Sequence, residues 1–314
     1  MYKVRKITLE EKEKILSKIY SRPLHESKAN IYGACIKFFT DSRGDKEMWE
    51  DNFHPMLEEI RPHARVISVK NGRGLRVSYE PISKTAIIEN CTYYGWIKSI
   101  ALGLVAEFLE DFRSEHRRYS IHGSYVDFGG NGIAMVGPSG SGKTTLTYGL
   151  LLEKYANFLT DDWMFVRLAN DVLVNSSEKN SYVRANIGAD WKEYSRKMKD
   201  MCLKECGERS IIDVRMLFGE QRIFTRSVMG ALVLLKNKKG EKAFEELDSE
   251  EAVEYLVKND FCNPHQLSRS PRKTWGRKKF FSELFEKVPV YSLNIANESP
   301  AESVSRILGI IDEE

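Results

Sequence analysis

The stretch NGIAMVGPSGSGKTTLTYGL, Asn131 to Leu150, decides how the rest of the chain is read. Gly137-Pro138-Ser139-Gly140-Ser141-Gly142-Lys143-Thr144 fits the phosphate-binding loop pattern G-x-x-x-x-G-K-[ST] at every fixed position. Ile133 to Val136 is a short apolar run that predicts a buried strand. Thr145 to Leu152 predicts a helix with Leu146, Leu150 and Leu151 on one side. Strand, glycine-rich turn and helix follow one another in the order the motif requires. Glycines let the backbone curl so that its N–H groups point inward, and the helix N-terminus adds a field that favours anions. Gly137 to Thr145 are therefore the candidate nucleotide-binding residues. Lys143 would reach the β- and γ-phosphates, and the Thr144 hydroxyl would hold magnesium.

Working outward, the 314 residues suffice for about two domains. Lysine and arginine number 48 against 45 acidic residues, and a net charge of +3 is too small to argue for nucleic-acid binding by the chain as a whole. Cys35, Cys91, Cys202, Cys206 and Cys262 form neither a disulfide framework nor a zinc pattern, so reduced thiols and a cytoplasmic location are expected. Met1 to Lys14 is charged throughout, so no secretory leader is expected. Trp96 to Leu109 is too short and too charged to span a bilayer.

Before the loop the pattern is that of a compact α+β unit, residues 1–115. Thr8 and Glu11 form a capping box that opens a helix to Tyr20. Ile31 to Phe39 predicts a strand, Arg43-Gly44-Asp45 a turn, and Glu47 to Ile60 a helix. Arg65 to Val69, Gly74 to Tyr79 and Thr85 to Glu89 alternate as antiparallel strands do, with Asn71-Gly72 as the hairpin turn between the first two. A long helix, Tyr93 to Phe112, precedes a boundary near the charged segment Arg113 to Arg118.

Residues 116–314 read as an α/β nucleotide-binding domain. Ser120 to Phe128 predicts a strand beside the loop strand, and Ala156 to Thr160 one that ends in Asp161-Asp162. Trp163 to Leu168 and Val172 to Asn175 read as a hairpin around Asn170. Asp190 to Cys206 reads as a helix, Val228 to Lys236 and Val288 to Leu293 as strands, and Ser249 and Ser299-Pro300 as helix starts.

A phosphate loop alone says only that a nucleotide binds; transfer needs further groups. The apolar strand Gly230 to Leu235 runs into Lys236 and Asn237 rather than an acid. That leaves Asp161 and Asp162, two adjacent carboxylates that follow the loop helix directly. One can hold magnesium while the other accepts the proton of an attacking hydroxyl. His122, in the strand predicted beside the loop strand, is a further candidate.

These pieces carry a resemblance. His122-Gly123-Ser124-Tyr125-Val126-Asp127, Gly130 and Gly132, the phosphate loop, and Thr160-Asp161-Asp162 resemble, in that order, the HPr kinase/phosphorylase family. Ser210-Ile-Ile-Asp-Val-Arg-Met-Leu-Phe-Gly219 is similar to a second signature of that family. The resemblance implies the P-loop mixed-sheet fold that this family shares with phosphoenolpyruvate carboxykinase. It also implies ATP and Mg2+ as cofactors. By the same resemblance Asp161 would be the catalytic base, His122 would hydrogen-bond to it, Lys143 would stabilise the transferring phosphoryl group, and Thr144, Asp162 and Glu205 would hold the metal. The function it implies is phosphoryl transfer from ATP to a hydroxyl on a protein serine or a small molecule. A nucleotide-gated binding or regulatory module and an RNA-directed kinase stand as alternatives, and a homo-oligomer is left open.

His265 to Lys279 is strongly basic. Arg269, Arg272, Lys273 and Arg277, with Lys278 and Lys279, could hold an anionic acceptor, meet a nucleic-acid backbone, or form a solvated loop ahead of a helix at Phe280 to Phe285. Arg184, Arg215 and Arg226 are further arginines able to meet phosphate.

Overall fold

The computed structural model describes residues 2–72, 74–111, 118–184, 187–195, 202–206 and 209–312, of which 182–184, 202–206, 209–212, 297 and 312 are described by backbone alone. The segment Arg113 to Arg118, read as a boundary, falls almost wholly outside them. Two compact units emerge. The first comprises Met1–His116 with Ser177–Lys179 and His265–Pro271; the second comprises Arg117–Ser176, Asn180–Pro264 and Arg272–Glu314.

The first unit runs β1 (Val4–Lys6), α1 (Leu9–Ile19), β2 (His25–Ile31), β3 (Ala34–Thr40), α2 (Arg43–Asn52), β4 (His54–Pro55), β5 (Ala64–Val69), β6 (Arg76–Glu80), β7 (Thr85–Glu89) and α3 (Tyr94–Asp111). Its strands form one mixed sheet in the order β1-β6-β7-β5-β3-β2-β4. The Thr8–Glu11 capping box is present in both directions. Three local readings change. Ile31 to Phe39 is not one strand, because Tyr32 and Gly33 sit at positive φ and close a two-residue hairpin between β2 and β3. Arg43-Gly44-Asp45 is the first turn of α2, capped by the Ser42 hydroxyl, and the helix ends at Asn52 because Phe53 is already extended. Asn71-Gly72 does not close a hairpin. β7 inserts between its neighbours, parallel to β5 and antiparallel to β6, and Asn71 is tied to the end of β7 through Glu89 and Asn90.

The second unit contains β8 (Arg118–Phe128), β9 (Asn131–Val136), α4 (Lys143–Leu150), β10 (Ala156–Thr160), β11 (Trp163–Leu168), β12 (Val172–Ser176), β13 (Ser181–Arg184), α5 (Ile187–Asp190), β14 (Cys202–Cys206), β15 (Arg209–Ile212), α6 (Val214–Phe218), β16 (Arg226–Lys236), β17 (Phe244–Leu247), α7 (Ser249–Lys258), α8 (Pro271–Phe285), β18 (Val290–Asn294) and α9 (Pro300–Asp312). The eight-stranded mixed sheet is organised around β8. Along one edge of β8 lies β9, antiparallel; along the other lie β10 and then β11, which meet at Asp161-Asp162. β9, β16 and β18 are parallel to one another, as the strand–loop–helix reading requires. One face of the sheet packs on α7 and α8 through Phe261, Phe280, Phe281 and Leu284. The other packs on α4 and α9 through Leu146, Leu150, Val304 and Ile307. β13, β15 and β14 form a separate antiparallel sheet.

Here too the structure corrects the sequence reading. Asp190 to Cys206 is not one continuous helix: α5 stops at Asp190, Trp191 to Glu193 are not helical, Tyr194 and Ser195 are, and Cys202–Cys206 is a strand, while 196–201 lie outside the described residues. Asp248, one residue before Ser249, caps α7 in a capping box with Glu251. The basic segment is part loop and part helix: His265 to Ser270 has no regular structure, and α8 is helical from Pro271, ahead of the predicted Phe280. The mixed α/β architecture itself is as expected.

Candidate functional site

The parallel strands β9, β16 and β18 all end on the same side of the sheet, and ligands of α/β folds bind beyond the carboxyl ends of such strands. Val136 ends β9 and the phosphate loop begins. Gly137 is packed so closely that a Cβ there would lie 2.5 Å from Ser141 Oγ and 2.9 Å from the Leu235 carbonyl oxygen. Gly140 and Gly142 lie at φ 83° and 87°, a conformation that side chains disfavour, and Gly142 caps α4. Lys143 Nζ donates to the carbonyls of Gly137 at 2.7 Å and Pro138 at 3.1 Å, so the lysine lies within the curl of the loop. Among the described residues Ser141 Oγ, which is buried, has no hydrogen-bond partner. A buried hydroxyl without a partner is costly unless a ligand oxygen meets it. The loop residues therefore fit a nucleotide phosphate. Thr144 is half-buried on the first turn of α4. The Thr145 hydroxyl is bonded to Asp190 Oδ2 at 3.0 Å, and its carbonyl accepts from Trp191 Nε1 at 2.8 Å.

β8 brings the other candidates to this end. Gly123 stands opposite Val136 on one edge, and its N–H donates to the Asp162 carbonyl at 2.9 Å on the other. The same register places Trp163 opposite His122. A bulge in β10 between Phe158 and Thr160 precedes the paired aspartates, a device that re-aims side chains beside functional sites. The sequence thus folds so that the loop, His122 and Asp161-Asp162 lie on three adjoining strands.

The partners differ from expectation in one respect. His122 Nε2 lies 3.2 Å from Asp162 Oδ1, so the carboxylate bonded to the ring is Asp162, whereas Asp161 was expected in that place. Asp161 is buried, and its charge acts on Tyr148 of α4, whose hydroxyl is pushed well above its ordinary value first by burial and then by this carboxylate. The other ring nitrogen, Nδ1, is 2.9 Å from the Cys262 carbonyl and must donate to it. Nε2 is then the nitrogen that faces Asp162.

Cys262 was not singled out by the sequence. It ends a turn, Asp260-Phe261-Cys262, in which all three residues are left-handed, at φ 51°, 55° and 52°. Each such non-glycine residue costs about 1–3 kcal/mol and persists only where its surroundings hold it. Burial pushes the Cys262 thiol up to about 11 against the opposing pull of the Lys143 ammonium, which places the turn close to the phosphate loop. No sequence signal marks such a turn.

Other expected residues fare differently. Glu205 lies in β14, opposite Ser210, and its side chain is outside the described residues, as is that of Arg184. Among the described residues no group of three His, Cys, Asp or Glu forms a ready-made metal centre. Magnesium would be met by the Thr144 hydroxyl and one carboxylate of the aspartate pair, with phosphate oxygens and water completing its shell, as this ion usually requires. Arg215 is taken by Asp213 in a two-point pair at 2.9 and 2.6 Å, and Arg226 Nε by Asn175 at 3.1 Å. Of the basic segment, Arg269 belongs to the first unit and Arg272 to the second. Arg272, Lys278 and Lys279 are exposed on α8, whereas Arg277 is buried against the Phe261 ring. Arg277 is therefore not part of an exposed basic face. No helix among the described residues is long and apolar enough to cross a membrane.

Comparison with known proteins adds a local likeness. A stretch of 83 residues is 34% identical to the HPr kinase/phosphorylase of Chlorobium limicola and, over the same length, 32% identical to that of Chlorobium luteolum. The matched segment is HPr kinase-like. It makes up 26% of this chain and 24% of each relative, so the chain spans about a quarter of the length of the curated relatives it matches. No family model matches the chain. The structure of the Hpr(Ser) kinase/phosphatase from Coxiella burnetii overlays 62% of this chain and 92% of its own, at 13% identity and a TM-score of 0.36, a likeness too loose to carry an argument.

Proposed function

We propose that the second unit is an ATP- and magnesium-dependent kinase that transfers the γ-phosphoryl group to a hydroxyl acceptor. The observation that supports this reading is the convergence of three things at one end of one sheet: a phosphate loop with a buried unpartnered hydroxyl, a pair of carboxylates, and an imidazole bonded to one of them. A module that only binds nucleotide has no use for a carboxylate–imidazole pair beside the phosphates.

In this reading the loop amides and Lys143 hold the β- and γ-phosphates and stabilise the charge that spreads over the transferring group. Magnesium, when bound, neutralises phosphate charge and orients the γ-phosphoryl group. Asp162 is the better candidate for the base, because it is partly open and its carboxylate lies 3.2 Å from Nε2 of His122. It would take the acceptor proton, and Nε2 of His122 would share it. Asp161, with Thr144, is then the carboxylate left for the metal, an exchange of the two expected roles. The acceptor is a hydroxyl on a protein side chain or a small molecule; the names of the relatives favour a protein.

The test uses γ-labelled ATP and an extract separated into small molecules, proteins and RNA. Label should accumulate in one fraction with the wild-type chain, and Asp162→Asn should lower that rate far more than it changes nucleotide binding. Label released only as free phosphate, whatever fraction is added, would replace the kinase reading with a nucleotide-gated module. Label in the RNA fraction would make it an RNA-directed kinase.

A further inference from the structure

We propose that the left-handed turn Asp260–Cys262 is a positioning element for His122, fixing which ring nitrogen faces Asp162. This inference rests on the kinase reading for its effect on turnover, but its geometric core does not. The Cys262 carbonyl accepts from Nδ1 at 2.9 Å, which leaves only Nε2 to face the carboxylate at 3.2 Å. A free imidazole would exchange its tautomers and rotate; a carbonyl at this place removes both freedoms.

The turn is held from several sides. The Cys262 N–H donates to the Asn259 carbonyl at 2.9 Å and the Asn263 N–H to the Asp260 carbonyl at 3.2 Å. Phe261 is buried, stacks on Phe281 with ring centroids 5.8 Å apart, and has the Arg277 guanidinium 6.0 Å from its ring centre. The Cys262 thiol shares a hydrogen bond with the Tyr255 hydroxyl, which donates to the Leu235 carbonyl at 2.8 Å. That same carbonyl limits the space at Gly137. An unbroken series of contacts therefore runs from the phosphate loop through Leu235, Tyr255 and Cys262 to His122 and Asp162. Three consecutive non-glycine residues in the left-handed region are found here, where the chain meets His122. Glycine at the exposed Asp260 would suit the same path better if stability were the only requirement on the turn.

Two measurements test it. In the wild-type protein with 15N-labelled histidine, Nδ1 of His122 should carry a proton protected from exchange; an unprotonated Nδ1 overturns the proposal outright. Asp260→Gly keeps the left-handed path open and should leave that signal in place, with turnover within about twofold of wild type. Asp260→Pro forbids the path; it should abolish the protected signal and lower kcat about 100-fold with KM for ATP within about twofold, the pattern of a misplaced group rather than a lost binding site. A folded Asp260→Pro variant with wild-type kcat and an unchanged His122 signal refutes the proposal. Should that variant not fold, the wild-type signal decides alone. If no acceptor is phosphorylated by any variant while Nδ1 is protected, the kinase reading fails and the positioning geometry stands.

Discussion

Gly123→Ala is the substitution that most directly probes how the site is assembled. Gly123 lies between the phosphate-loop strand and the aspartate pair, opposite Val136 on one edge and bonded to the Asp162 carbonyl on the other. A Cβ built there would sit 2.6 Å from the Met135 carbonyl oxygen, 3.1 Å from Val136 Cγ2 and 3.3 Å from Met164 Cε. The nearest of these is backbone in a paired strand, so it cannot swing aside as a side chain could, and β8 and β9 must part by a few tenths of an ångström. Overpacking of this kind costs about 1–3 kcal/mol. Strain on the Gly123–Asp162 ladder bond adds about 0.5–1.5 kcal/mol. At about 2–4 °C per kcal/mol for a unit of this size, the melting temperature should fall by roughly 3–18 °C. Turnover should fall more than stability does, because His122 and Asp162 move relative to the loop, and a displacement near 1 Å can cost about 100-fold. The assays are thermal unfolding followed by fluorescence, and phosphate transfer from labelled ATP below the variant's melting point. Gly309→Ala in α9 is the control: nothing lies within 4 Å of its Cβ position, and helix propensity alone should stabilise by about 0.5–1 kcal/mol. A Gly123→Ala protein with wild-type melting and wild-type turnover would refute the placement of β8 between the loop and the aspartates.

Three further outcomes follow from single side chains. The Asp213 carboxyl is held below the usual carboxylate range by its hydrogen bonds from Arg215, so its contribution to stability is present above that range and is lost as pH falls through the lowered value; Asp213→Asn should flatten the acid limb of a urea-midpoint against pH curve. Burial raises the Cys262 thiol from 9.0 to about 11, so its contribution is intact below pH 9.0 and lost as pH rises toward 11; Cys262→Ser should soften that alkaline loss, and alkylation of Cys262 in the folded protein at pH 8 should lag behind that of the less buried Cys91. Arg222 donates to the carbonyls of Leu151, Glu153 and Ala156, closing the end of the loop helix; Arg222→Lys, which cannot reproduce that fork, should lower stability by about 1.5–3 kcal/mol in chemical unfolding.

How much of this was legible in the sequence depended on the range of the interactions concerned. The phosphate loop was readable because its signal is local: glycines, a lysine and a threonine at fixed spacing between an apolar run and a helix. The Thr8–Glu11 box was readable for the same reason. The Asn71-Gly72 hairpin failed because a turn signal cannot say which strand will insert beside it; β7 arrives later in the chain and binds Asn71 through Glu89. The pairing of His122 with Asp162 was out of reach too, since adjacent aspartates differ only in how a distant bulge and the β8 register turn them. Least legible was Cys262. Its backbone carbonyl, not its thiol, meets His122, and no residue type announces a carbonyl. What places it is a turn of residues that would each avoid that conformation alone, held by Phe281, Arg277 and Tyr255 from other elements. A position held against local preference by distant contacts is invisible to local patterns, and it is also where a fold can store the precision that a proton-sharing pair needs. The strongest local signal in this chain therefore locates the phosphates, while the groups that would act on them are oriented by contacts that only the folded chain contains.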